Sequence, residues 1–209
     1  HRVGPPGSEG GVTMDVQNMM KSISEGTPTP GGGAVGWIAL GQGTALLRMV
    51  SNLTLKSKKW AVGHEQSRAI LEATAEFDSR ATDGFHADCH AYESVVKAYK
   101  LPEENHDRQR AIETASLLAA EVPLDLMEAT LEISLLSMGL FGLHNKNAHS
   151  DLISCGLLLK TAAIIGSKNV EANIPYLSGE DLIVVNARHD EVRKNLLNVI
   201  PTITEGGNL

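Results

Sequence analysis

The stretch Gly26-Thr27-Pro28-Thr29-Pro30-Gly31-Gly32-Gly33, with the segment Ala34 to Thr54 behind it, constrains this chain more than any other. The loop is barred from regular structure. Two prolines fix φ and remove N–H donors, and three consecutive glycines open φ values closed to other residues. The segment after it is small and apolar on every side, which is the pattern of a helix buried nearly all round. Gly36, Ala39 and Gly43 lie three and four residues apart, so another backbone can come close there. The loop thus delivers bare N–H groups to the start of a core helix, a place suited to an anion or a polar ring edge. The same pattern also serves as a plain turn. No GxGxxG follows a strand and no Lys-Ser/Thr follows the last glycine, so neither nucleotide fingerprint is present. The apolar run is short and carries Gln42 and Arg48, which argues against a membrane span.

Around this stretch the chain reads as all-α. Val12, Val16, Met19, Met20 and Ile23 recur at helical spacing. Lys56-Ser57-Lys58-Lys59 forms a basic corner. From about Trp60 to Lys100 the pattern predicts one long helix, bent near Gly84 and stopped by Leu101-Pro102. A second long helix is expected over 107–137 with a kink at Pro123. Asn147 or Ser150 is expected to cap a third, over 151–168, that is apolar nearly all round. A last helix is expected from Ser178 to about Val199, with Val185, Val192, Leu196 and Val199 facing the body. No segment alternates at period two, and no repeat appears at solenoid periods.

These elements predict one multihelical domain over 12–209, with the Gly/Pro-rich residues 1–11 as a loose leader. Two all-apolar helices in so short a chain need several partners, so a homo-oligomer sharing its helical surface is expected. The net charge of -7 argues against general nucleic-acid binding. Two isolated cysteines, Cys89 and Cys155, read as reduced thiols of a cytoplasmic protein. No basic segment followed by an apolar one opens the chain, so no secretion signal is expected.

Asp88 is the most informative single residue. It falls on the apolar stripe Ala81, Gly84, Asp88, Ala91, Val95 of its helix. A carboxylate there is either paired or functional. Burial raises its pKa toward neutrality, where a general base works well. His86 and His90 sit one turn apart, a spacing that can hold zinc, but on the edge of the polar face and without a second ligand pair. No metal is expected. Ser150-Asp151 suits helix capping. Asn169 and Asn173, one turn apart, suit either helix-terminal caps or ligand contacts. No cysteine or serine lies in a recognisable nucleophile motif.

Taken in order, these residues resemble the cyclodeaminase-domain family of formimidoyltransferase-cyclodeaminase, with its stand-alone methenyltetrahydrofolate cyclohydrolase relatives. Thr29-Pro30-Gly31-Gly32-Gly33-Ala34-Val35 resembles the family's PGGGSV loop, and Thr54 with the corner to Trp60 resembles its threonine and basic turn. Asp88-Cys89-His90-Ala91-Tyr92 and Ala98-Tyr99-Lys100-Leu101-Pro102 resemble its D-x-x-A-F and A-x-x-L-P. Arg110, Val122-Pro123-Leu124, Ser150-Asp151-Leu152 and Asn169-Val170-Glu171-Ala172-Asn173 follow in the expected order. The resemblance runs from about Asp15 to Val199.

The resemblance implies an intertwined helical homodimer with folate bound near the subunit boundary. It implies a place in one-carbon metabolism and histidine catabolism. The implied reaction is cyclodeamination of 5-formiminotetrahydrofolate to 5,10-methenyltetrahydrofolate and ammonia, an ammonia-lyase reaction. Hydrolysis of the methenyl bridge, or folate binding without catalysis, are the alternatives. Asp88 matches the family's proton acceptor, and Asp151 or His149 is available as the acid. Gly31, Gly32 and Gly33 are implied contacts for the pterin edge or a carboxylate, and Lys58 and Lys59 for the glutamate tail. Ser150, Asp151, Asn169 and Asn173 complete the implied substrate site. The chemistry calls for no metal and no redox cofactor.

Overall fold

The computed structural model describes residues 16–204, which form helices and turns with no strand among them. The helices are α1 (Val16–Ser24), α2 (Gly32–Leu55), α3 (His64–Ala73), α4 (Phe77–Tyr99), α5 (Arg108–Leu140), α6 (His149–Asn173) and α7 (Gly179–Thr204). Short 3-10 turns occupy Lys58–Gly63, Lys146–Ala148 and Ile174–Tyr176. The expected leader, and Val12, lie outside the described residues.

The expected close approach of another backbone occurs at Gly43, where a Cβ would lie 3.4 Å from Cys155 O, whereas Gly36 makes room for side chains. A Cβ at Gly36 would lie 2.7 Å from Leu126 and 2.8 Å from Ile165, and one at Gly43 would lie 3.3 Å from Leu159. Gly36 thus meets Ile165 while Gly43 meets Leu159, so α2 and α6 run antiparallel in close contact. Asn145 closes the far end, its backbone N–H donating to Thr54 Oγ1 at 2.9 Å. Leu47, Val50, Leu126, Met127, Leu152, Leu159 and Ile203 fill the core between α2, α5, α6 and α7. The region Lys146–Tyr176 is long and apolar enough to cross a bilayer, and here one side of α6 packs against α2, α5 and α7. The expected inward residues of α7, Val185, Val192, Leu196 and Val199, are all buried.

The expected helix over 60–100 is two helices, and the break falls at 74–76 rather than Gly84. Arg48 of α2 causes it. Its Nη1 donates to the carbonyls of Leu71 (2.9 Å) and Thr74 (2.8 Å) and to Thr74 Oγ1 (2.8 Å), and its guanidinium lies 5.2 Å from the Phe77 ring. Thr74 (φ -110°, ψ 24°) and Glu76 (φ -104°, ψ 29°) accordingly leave the helical region. Gly84 instead sits under the Trp37 ring, where a Cβ would overlap it. Neither Asn147 nor Ser150 caps α6, whose N-cap position is Ala148 and carries no side-chain cap. The Asn145 side chain instead caps the preceding 3-10 turn, accepting from Asn147 N at 3.0 Å. α5 continues unbroken through Pro123, and α7 through Pro201 as far as Thr204.

Candidate active site

A cavity of about 630 Å³ opens where the N-terminal end of α2 meets α4, α5 and the C-terminal end of α6. Its walls are Pro28, Thr29 and Gly31 to Gly33 from the loop, Asp88, Tyr92, Val95 and Tyr99 from α4, Ser116 and Ala119 from α5, Asn169 and Asn173 from α6, and Tyr176. Asp88, Tyr92, Val95 and Tyr99 are spaced four, three and four apart, so they share one face of α4.

Asp88 is half-buried, and burial pushes its carboxyl above the ordinary carboxylate value. The backbone N–H of Ala34 opposes this by donating to the carboxylate. Ala34 lies in the first turn of α2, where N–H groups have no intrahelical partner and a negative charge is favoured. The result is a carboxylate with raised basicity beside the N-terminal turn of α2. No cation pairs with it among the described residues, which removes the ion-pair reading left open by the sequence.

The glycines serve a purpose other than the one expected. None of Gly31, Gly32 or Gly33 has a positive φ; in this loop only Gly26 does, at 76°. Gly31 is extended (φ -113°, ψ -161°) and precedes the helix. A Cβ on Gly33 would overlap the Asp88 carboxylate, whereas one on Gly32 would meet nothing within 4 Å. Gly33 is therefore required for space.

Asn169 and Asn173 both line the cavity. Asn169 Nδ2 donates to Ile165 O at 2.8 Å, and Asn173 Nδ2 donates to Ala119 O at 3.0 Å and Asn169 O at 2.9 Å. Sequence reasoning missed the tyrosines. The chain has three, and all of them, Tyr92, Tyr99 and Tyr176, line this cavity with 46%, 47% and 63% of their surface exposed. The available signal was the helical spacing of Tyr92 and Tyr99 from Asp88.

The remaining expected contacts lie elsewhere. Lys58 and Lys59 follow the C-terminal end of α2, and Ser150 and Asp151 begin α6. At about 1.5 Å per residue, roughly 33 Å of helix separates Gly33 from Leu55, and roughly 28 Å separates Ser150 from Asn169. Within one chain these four residues cannot share a ligand with Asp88. His149 lies at the same far end, with Nδ1 3.1 Å from Nε2 of buried His144, whose pKa burial lowers. Neither His149 nor Asp151 reaches Asp88 as an acid from the same chain. His86 and His90 are exposed, and among the described residues no three His, Cys, Asp or Glu side chains converge as for a metal. Burial pushes the Cys155 thiol up to about 12, and burial with the charges of Asp88 and Glu93 raises that of Cys89. Neither is an activated thiolate.

The helical bundle thus holds one half-buried carboxylate beside a glycine loop, in a cavity walled by amides and phenols. The chain belongs to the formiminotransferase-cyclodeaminase family, whose model matches residues 15–194. It is 30% identical over 122 residues to the methenyltetrahydrofolate cyclohydrolase of Methylorubrum extorquens, covering 56% of this chain and 59% of that one. It is 27% identical over 165 residues to the formimidoyltransferase-cyclodeaminase of Sus scrofa, covering 76% of this chain and 30% of that one. The chain thus spans less than two thirds of either curated relative. Its fold is similar to the crystal structure of formiminotetrahydrofolate cyclodeaminase from Thermotoga maritima, with a TM-score of 0.75 and 27% identity. That match covers 93% of this chain and 97% of the other.

Proposed function

We propose that this chain closes the ring of 5-formiminotetrahydrofolate to give 5,10-methenyltetrahydrofolate and ammonia, with Asp88 as general base. The observation that carries this reading is the raised, half-buried carboxylate of Asp88 inside the cavity. N10 attacks the carbon of the protonated formimino group, forming the N10–C bond and a tetrahedral carbon bearing –NH2. Asp88 takes the N10 proton and returns it to that nitrogen. The C–N bond then breaks and ammonia leaves, with the positive charge now on the methenyl bridge. One carboxylate whose basicity is raised by burial suits both transfers. The exposed tyrosine faces offer stacking surface for the pterin and benzoyl rings.

The second reading is hydrolysis of the methenyl bridge, favoured by the likeness to the cyclohydrolase. Water adds to the bridge carbon, Asp88 takes a proton from that water, and the C–N5 bond breaks with the proton delivered to N5, leaving a formyl group on N10; the same base thus serves a different nucleophile. Steady-state turnover of both folates decides between them: release of ammonia from the formimino substrate supports the first reading, and turnover of the methenyl substrate alone supports the second.

The chain acts as a homodimer in this proposal, in the cytoplasm and without nucleic acid or membrane. Support comes from Leu157 and Ile164, two turns apart on α6, and Leu197 of α7, which are 49%, 52% and 64% exposed. Such an apolar stripe suits a second copy. No metal or redox cofactor enters the proposed steps.

A further inference from the structure

The fixed polarity of Asn173 traces to a proline on another helix. In a regular helix the Ala119 carbonyl accepts from the N–H of residue 123, but that residue is Pro123 and has none. α5 stays helical through this point, so the carbonyl is left without its ordinary partner. A half-buried carbonyl in that state seeks another donor. Asn173 Nδ2 supplies it at 3.0 Å. The helices come close enough for this because a Cβ at Gly166 would already lie 3.0 Å from the Pro123 carbonyl oxygen.

The second hydrogen of the Asn173 amide goes to Asn169 O at 2.9 Å, so both are committed to carbonyl oxygens. Turning the amide over would set Oδ1 against two acceptors, which fixes the assignment physically. Asn169 Nδ2 is likewise committed to Ile165 O. Among the described residues no protein donor reaches Oδ1 of either side chain, and both side chains line the cavity.

We infer that Pro123 is a positioning residue: by freeing the Ala119 carbonyl it locks Asn173 with Oδ1 toward the cavity, so that Asn173 and Asn169 select ligands by a hydrogen-bond-donor edge. On a folate that edge is the N–H and amino group of the pterin pyrimidine. The ligand assignment rests on the proposed function, whereas the lock itself does not. A site built to pair a donor edge rejects an analogue that lacks it, because its acceptors are then left unpaired.

Pro123→Ala supplies the missing N–H, which reclaims the Ala119 carbonyl. The melting temperature is expected to stay level or rise, because a helix-interior proline is replaced by the best helix former. KM for the folate is expected to rise about tenfold, with most of the loss in KM rather than kcat, as for one hydrogen bond to a ligand. Discrimination against a folate lacking the pterin 2-amino group falls in parallel. A proline with only a structural role would not separate stability from KM in this way. Asn173→Asp keeps the volume but cannot donate, and is expected to give the same rise in KM if Pro123→Ala fails to fold. Side-chain amide hydrogen exchange of Asn173, read by 15N NMR without ligand, tests the lock alone: slow exchange in wild type and fast exchange in Pro123→Ala supports it. Equal exchange in the two proteins overturns it. Wild type that binds neither folate, with the Asn173 amide still protected, overturns the folate reading and leaves the lock supported.

Discussion

Gly33 lies so close to Asp88 that a Cβ on the glycine would overlap the carboxylate. The Gly-rich loop and the proposed base are therefore one unit, the glycine clearing the space that the carboxylate fills. Gly33→Ala is expected to displace Asp88 and lower turnover by about 10²-fold, since misplacement on the scale of 1 Å has that effect. Gly32→Ala meets open space and is expected to leave turnover within about twofold, with only the small stability change of a helix-start substitution. Steady-state rates and thermal melts of the two variants, side by side, check this. Equal damage from both would return the loop to a purely conformational role.

The raised pKa of Asp88 has a sign that stability measurements can read. Its folded-state value exceeds 3.8, so the folded protein gains relative to the unfolded chain at low pH and loses that gain as pH rises through the folded value. Asp88→Asn removes the cost of the buried charge. The variant is expected to be as stable as wild type or more so at pH 7, with the difference vanishing below pH 3.8. Urea midpoints across the pH range test it. In wild type the acid limb of kcat/KM is expected above the ordinary carboxylate range.

Arg48 holds the junction of α3 and α4 through three contacts from one nitrogen. Arg48→Met leaves the Leu71 and Thr74 carbonyls without that donor. The expected loss is on the order of 2–4 kcal/mol, because hydrogen bonds to charged groups are strong and the orphaned acceptors add their desolvation cost. A shift in urea midpoint at constant m-value would show it.

Much of this fold was legible in the sequence. Periodicity located Asp88 on the buried side of α4 and the inward residues of α7, because those signals are local. The α3–α4 break was not legible, since its cause lies 26 residues away in Arg48. The role of Gly33 depends on a helix that arrives from elsewhere in the chain. Motif order grouped Lys58, Lys59, Ser150 and Asp151 with Asp88, but the antiparallel register of α2 and α6 sends them to the opposite end. Only that register shows which motif residues can meet. The tyrosines were hidden for a related reason, since Tyr176 joins Tyr92 and Tyr99 only when α6 returns past α4.

The exposed stripe predicts association. Wild type is expected to be dimeric by light scattering at micromolar concentration. Ile164→Asp combined with Leu197→Asp is expected to yield a folded monomer, because two buried charges without partners oppose an apolar interface. A folded wild-type monomer would leave the stripe unexplained by dimerisation.

The most direct test of the central claim is the turnover of Asp88→Asn on both folates. The amide keeps the size of the carboxylate and can still accept from Ala34 N–H, but it cannot take the N10 proton. Turnover is expected to fall by about 10²–10⁴-fold with the helical circular-dichroism spectrum unchanged. A variant that keeps the wild-type rate on whichever folate the wild type turns over would make Asp88 a structural residue and contradict its assignment as the base.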